Sequence, residues 1–284
     1  MTSRGRSLRL GQVEIICLTD GEILVYATAM FGSIPPGVWA EAHPPDPQNR
    51  VPLALHSFLI RTPEVSVLTD TGVGEALDPR YAKAYSFRRE KSLIADLAEA
   101  GCRPEDVDLV VNTHLHFDHC GWNTVRTPTH GTIPAFPRAR YIVQKGEWEV
   151  ALRPKGPDKP SYRPQWLRPL VAPGVLELLE GGREIAPGVE TVSLPGHTVH
   201  HQGVKVTSGG GVFVFSGDAI PTAAHAGLEA TMTFDLDPAQ ASSSKKKLLE
   251  RAAAEDWILG FGHDPLHPFG RVRRNGAGYA VAYL

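Results

Sequence analysis

The chain has 284 residues, 42% of them apolar, with 31 acidic and 29 basic side chains giving a net charge of -2. That balance offers no electrostatic reason to bind nucleic acid or an anionic membrane, and the length suits a single domain, 1-284, with a sizeable core. Cys17, Cys102 and Cys120 are odd in number and far apart, which argues against a disulfide framework.

Met1 to Gly11 is basic and polar with no apolar run behind it, so a cytoplasmic location is expected. Val13 to Leu18, Leu53 to Ile60 and Val65 to Thr69 read as strands, the last ending in the turn Asp70-Thr71-Gly72. Ser92 to Ala100 has helical apolar spacing, with Gly101 placed to stop it. Val107 to Asn112 is a buried-type strand running into Thr113-His114-Leu115-His116. Arg140 to Val143 is a strand, and Gly146 to Leu152 opens a short helix. Arg153 to Pro173 carries six prolines with Tyr162 and Trp166 among them, so it is neither regular helix nor central strand. It reads as an irregular surface connection or as a loop at the mouth of a site. Glu190 to Leu194 is a strand, and Gly203 to Thr207 and Gly211 to Phe215 form a hairpin through Ser208-Gly209-Gly210. Lys245 to Ala254 is predicted as a helix, its run Lys245-Lys246-Lys247 starting a solvated face. Trp257 to Phe261 is a strand, and Val272 to Leu284 a terminal hairpin turning at Asn275-Gly276. No apolar run approaches the roughly 20 residues of a spanning helix. The class expected is mixed α and β, with helices covering sheet.

Of twelve histidines, three crowd into His114-Leu115-His116-Phe117-Asp118-His119 at the end of an apolar strand. In extended chain, residues i and i+2 face the same way, so His114 and His116 can reach one ion while Leu115 points to the core. A turn after them, which Gly121 suits, would swing Asp118 and His119 toward a second position. Imidazoles and carboxylates at this density favour zinc, iron or manganese over calcium. His197, Asp218 and His263 each follow a strand and stand beside small residues. Any one alone is weak; four strand ends delivering ligand types together is a strong signal.

The pattern resembles the metallo-β-lactamase superfamily, whose hallmark is an HxHxDH loop followed by a later His, an Asp and a final His. The match runs from Asp70 to His263. The resemblance implies an α+β fold, a four-layer αββα sandwich with the metal site at one edge between the sheets. It implies two divalent metal ions, zinc foremost, with manganese, iron or cobalt as alternatives. His114, His116 and His197 would bind the first and Asp118, His119 and His263 the second, with Asp218 bridging both. Asp70 would orient a ligand histidine. The implied reaction is attack by a hydroxide shared between the cations on a carbonyl or phosphorus centre. Asp118 is the catalytic candidate that orients it and passes a proton to the leaving group.

Thr113 to Asn123 is most similar to the acyl-homoserine lactonase branch, which implies a small-molecule lactone or ester substrate and is compatible with a homodimer. One departure stands out: those lactonases carry a tyrosine three residues after the bridging Asp, where this chain has Pro221. Either Tyr162 or another loop group takes its place, or the substrate differs. The alternative is a phosphotriester hydrolase of the methyl parathion hydrolase type, with Phe31, Trp39, Trp122 and Trp166 lining a leaving-group pocket or else lying in the core. β-Lactamase activity and a non-hydrolytic metal or redox module rank lower, the latter because flavodiiron proteins carry Glu where His116 stands. His200 and His201 are read as buttresses of the His197 loop, Cys120 as a packing residue, and His43, His56, His130, His225 and His267 as surface or core.

Overall fold

The computed structural model describes residues 6–32, 34–276 and 278–284. Met1 to Gly5 of the basic N-terminal segment, Ser33, and Ala277 beside the predicted terminal turn lie outside the described residues. The strands in chain order are β1 (Ser7–Leu10), β2 (Val13–Tyr26), β3 (Arg50–Arg61), β4 (Ser66–Thr69), β5 (Leu109–Val111), β6 (Thr124–Thr127), β7 (Gly131–Pro134) and β8 (Arg140–Gln144). They continue with β9 (Leu176–Leu179), β10 (Glu184–Ala186), β11 (Val189–Ser193), β12 (Gln202–Ser208), β13 (Gly211–Phe215), β14 (Ile258–Gly260), β15 (Phe269–Asn275) and β16 (Gly278–Tyr283). One seven-stranded sheet has the order β1-β2-β3-β4-β5-β8-β9, a second runs β10 to β16, and β6 and β7 pair separately.

Apolar side chains of both sheets form the central core, where Phe58 meets Phe213, Phe215 and Phe269 at ring distances of 5.5, 5.0 and 5.4 Å. The outer face of the first sheet packs against the helices Leu93–Glu99, Lys145–Leu152 and Pro164–Leu167, and that of the second against the helix Pro238–Ala254. Sheet faces sheet with helix outside each, so the fold is the α+β four-layer αββα arrangement.

Several elements extend past their sequence boundaries. The strand expected over 13–18 continues to Tyr26, with its register shifting between Thr19 and Glu22. A β-bulge there re-aims the strand, which a period-2 reading cannot follow. The helix expected from Lys245 begins at Pro238, where Asp237 caps it by accepting from Gln240 N–H at 2.9 Å. An Asp cap with Pro at the first helical position is a start signal that the serine run obscured. The solvated reading of Lys245 is corrected: it is buried, its ammonium donates to the Ala230 carbonyl, and burial lowers its pKa to about 8. Lys246 and Lys247 are exposed. No helix of the described residues is long and apolar enough to cross a membrane.

His225 is buried beside Phe31, their rings 5.3 Å apart. Its Nε2–H donates to the Met30 carbonyl at 2.9 Å, and Nδ1 accepts from the Thr222 hydroxyl at 2.8 Å. Burial therefore depresses its pKa from 6.5 to about 4. The unfolded chain takes up a proton as pH falls below about 6.5 and the folded chain does not, so stability should decline between pH 6.5 and 4. The loss from this residue is about 3 kcal/mol at the acid end. Thermal midpoints across that range should fall less steeply for His225→Gln than for the parent; equal slopes would clear His225.

Candidate metal centre

The site assembles where parallel strands end. β4, β5 and β8 run parallel, so Asp70 and the segment from His114 leave the first sheet on the same side. In the second sheet β11, β13 and β14 point the same way and lead to His197, Asp218 and His263. The turn of residues 116–119 closes with His119 N–H donating to the His116 carbonyl at 3.0 Å, and Thr71 N–H donates to His119 carbonyl at 2.8 Å. Gly121 is required for close approach rather than for an unusual turn angle, since a Cβ there would collide with the Val73 carbonyl.

All seven predicted ligands come together. Three sets offer ligand atoms within 4.8 Å of one another: His114, His116 and His197; His114, His119 and Asp218; and Asp118, His119 and His263. The two oxygens of Asp218 face different ways. Oδ1 lies 3.5 Å from His119 Nε2 and 3.1 Å from His263 Nε2, while Oδ2 lies 3.3 Å from His197 Nε2.

The far side of each ring explains the orientation. His119 Nδ1 is 2.8 Å from Asp70 Oδ2, His197 Nδ1 is 3.1 Å from Asp235 Oδ1, His263 Nδ1 is 2.7 Å from the Ala54 carbonyl, and His114 Nδ1 is 3.0 Å from Thr113 Oγ1. With Nδ1–H donating outward, each Nε2 lone pair is turned to the centre, which is how ligand histidines are held. His114 and His119 Nε2 and Asp218 Oδ1 are buried without a hydrogen bond. Buried polar atoms are seldom left so, and divalent cations are the partners this donor set fits.

The charges agree. Burial by itself would lift the Asp218 carboxyl, but His119, His263 and His197 overcome it and hold it well below the usual carboxylate range. Burial would likewise depress His119, yet Asp218, Asp118 and Asp70 raise it well above the usual value. His114 shifts well down through burial and the adjoining His119 and His116.

Asp235, Glu147 and His201 are functional neighbours that sequence reasoning missed or underplayed. Asp235 also accepts from Met232 N–H at 2.9 Å, fixing its loop under His197. His201 buttresses the His197 loop as read, its carbonyl accepting from Leu194 N–H at 2.9 Å, and its Nε2 also accepts from Asp218 N–H at 3.2 Å. Glu147 lies on the buried face of its helix with Trp148 and Ala151, and a carboxylate on an apolar stripe was the available signal.

A cavity of about 240 Å³ opens over the centre. His116, Asp118, His197, Asp218 and His263 form its floor, and Ile23, Val25, Met30, Leu53, Met232 and Phe234 give it apolar walls. Pro157, Asp158 and Ser161 also line it, so the proline-rich segment is a wall of the site rather than a mere surface connection. Tyr162 does not replace the lactonase tyrosine. Its ring packs on His116, 4.9 Å between centroids, and its hydroxyl donates to Glu147 at 3.0 Å. Tyr85 is the tyrosine among the lining residues. Pro221 accepts from His263 N–H through its carbonyl at 2.9 Å. Phe31, Trp39, Trp122 and Trp166 are buried in the first-sheet core and line no part of this cavity. Cys120 is buried in that core, and His200 and His130 are exposed.

A family model for the metallo-beta-lactamase superfamily matches residues 50–263. An N-acyl homoserine lactonase of Bacillus cereus is 29% identical over 231 residues, covering 77% of this chain and 84% of that protein. A probable metal-dependent hydrolase from Staphylococcus aureus superposes with a TM-score of 0.87 at 26% identity, covering 98% of this chain and 99% of the other. A dizinc quorum-quenching lactonase, AidC, shares the fold with a TM-score of 0.79 at 20% identity, covering 98% and 96% of the two chains.

Proposed function

The chain belongs to the metallo-beta-lactamase superfamily and is a metal-dependent hydrolase, and from that premise we propose that it opens lactones or cleaves carboxylic esters of the acyl-homoserine lactone type. The observation that carries the reading is the split aim of Asp218, one oxygen toward His119 and His263 and the other toward His197. A carboxylate so placed suits two cations. His114, His116 and His197 would hold one, Asp118, His119 and His263 the other, and Asp218 both. Zinc fits these imidazole and carboxylate donors, as do manganese, iron and cobalt. Divalent cations in such a site supply a water that ionises near neutral pH and electrophilic assistance to a carbonyl.

The protein's own groups do the rest. Asp118 is the least buried of the acidic cluster, its side chain 15% exposed against 9% for Asp218, and it lines the cavity. Its carboxylate can therefore meet the substrate, take a proton from the attacking water and return it to the departing alkoxide. The apolar walls receive an acyl chain and exclude water from the reacting carbonyl. Tyr85, half-buried at the same wall, is placed to hydrogen-bond the substrate. A phosphotriester substrate loses its supporting feature, because the aromatic residues invoked for its leaving group lie in the core.

Elemental analysis together with initial rates on an acyl-homoserine lactone, an aryl ester and paraoxon tests this. About two metals per chain and turnover of lactone or ester are expected. Turnover of paraoxon alone would transfer the reading to organophosphates, and a chain binding no metal would end it.

A further inference from the structure

We propose that Glu147 is a positioning residue that sets the affinity of one cation by clamping together the segments carrying His114, His116 and His197; this rests on the dinuclear reading above. Glu147 is 1% exposed, and its carboxylate collects hydrogen bonds from three separate segments. Oε1 accepts from Leu115 N–H at 3.0 Å, between His114 and His116. The same oxygen accepts from the Tyr162 hydroxyl at 3.0 Å, from the proline-rich wall. Oε2 accepts from the Thr198 hydroxyl at 2.7 Å, beside His197.

The Tyr162 branch reaches the site directly. His116 and Tyr162 face each other in an antiparallel bridge, Phe117 N–H donates to the Ser161 carbonyl at 2.8 Å, and the Tyr162 ring meets the His116 ring edge-on. His116 differs from His119, His197 and His263: its Nδ1 lies 3.3 Å from His197 Nε2, which turns Nε2 away from the centre and toward the Asp158 carboxylate of the proline-rich wall. The backbone bridge and the Tyr162 ring packing orient it together with Asp158, and Glu147 anchors the bridge and the ring. Its carboxylate touches no part of the second set, Asp118, His119 and His263, so its effect is confined to one side of the centre. A buried carboxylate with three donors is also well satisfied, which makes the clamp stiff.

Zinc affinity, measured by competition with a chromophoric chelator, separates the two cations. In Glu147→Ala one of the two should bind about ten- to a hundredfold more weakly while the other keeps its parental affinity. Glu147→Gln should recover most of the loss, because its amide oxygen still accepts from Leu115 N–H. Tyr162→Phe and Thr198→Val each remove one hydrogen bond and should weaken the same cation by a smaller factor, which keeps the test open should Glu147→Ala fail to fold. Unchanged affinities in all of these variants, or both affinities falling together with the melting temperature, would overturn the clamp. Parent protein holding fewer than two zinc ions would instead remove the dinuclear reading and the inference with it.

Discussion

Replacing Asp218 by alanine should release both cations and lower kcat/KM by roughly a thousandfold or more, about 4 kcal/mol of barrier. The reasoning is geometric. Its two oxygens lie within 3.5 Å of ring nitrogens from both ligand sets, so one side chain reaches both. It is also the anion that balances His119, His197 and His263, each of which its charge raises in pKa against the opposing effect of burial. Without it, imidazoles packed as closely as 4.1 Å between His114 and His119 centroids lose their common counter-charge. Metal content and circular dichroism measured on one preparation decide the matter. A folded variant that loses only one ion would remove the bridging role, and one that keeps both at full activity would remove the site assignment.

The cluster of candidate ligands was legible because its members stand at, or in the loop just after, the end of an apolar strand, a position that burial pattern and spacing both reveal. His114 and His116 follow β5, and Asp218 follows the hairpin strand β13. The partners that aim the rings were less legible. Asp235 precedes a helix start that was itself misplaced, and its bond to His197 spans 38 residues of chain. Glu147 joins segments 32, 15 and 51 residues away, a relation that only tertiary packing creates. The same limit applied to Tyr162. Sequence offered it as a replacement phenol, whereas burial turned its hydroxyl inward and left Tyr85 at the wall. Lys245 failed for a local reason: a helix beginning at Pro238 puts it, with Ala241, Leu248 and Ala252, on the inner face.

Asp70 offers the second large effect, and its two substitutions should part company. Asp70 is 1% exposed and sits at φ 51, a left-handed position that asparagine tolerates and alanine resists. Its Oδ1 accepts from Thr113 N–H at 2.7 Å, and its Oδ2 accepts from the Thr113 hydroxyl and His119 Nδ1, both at 2.8 Å. Asp70→Ala strands those donors in the interior and should cost about 4 kcal/mol of stability. Asp70→Asn keeps the volume and the backbone angle, so its thermal loss should be much the smaller. Its amide nitrogen, however, must stand where Oδ2 stood if Thr113 N–H is to keep an acceptor. His119 Nδ1 then faces a donor, the ring proton moves to Nε2, and the lone pair that pointed at Asp118, His263 and Asp218 is lost. The asparagine variant should therefore remain folded yet bind the cation beside Asp118 about ten- to a hundredfold more weakly. Calorimetry paired with zinc titration reads both quantities. Parental zinc affinity in Asp70→Asn would show that His119 takes its orientation from packing and not from this carboxylate.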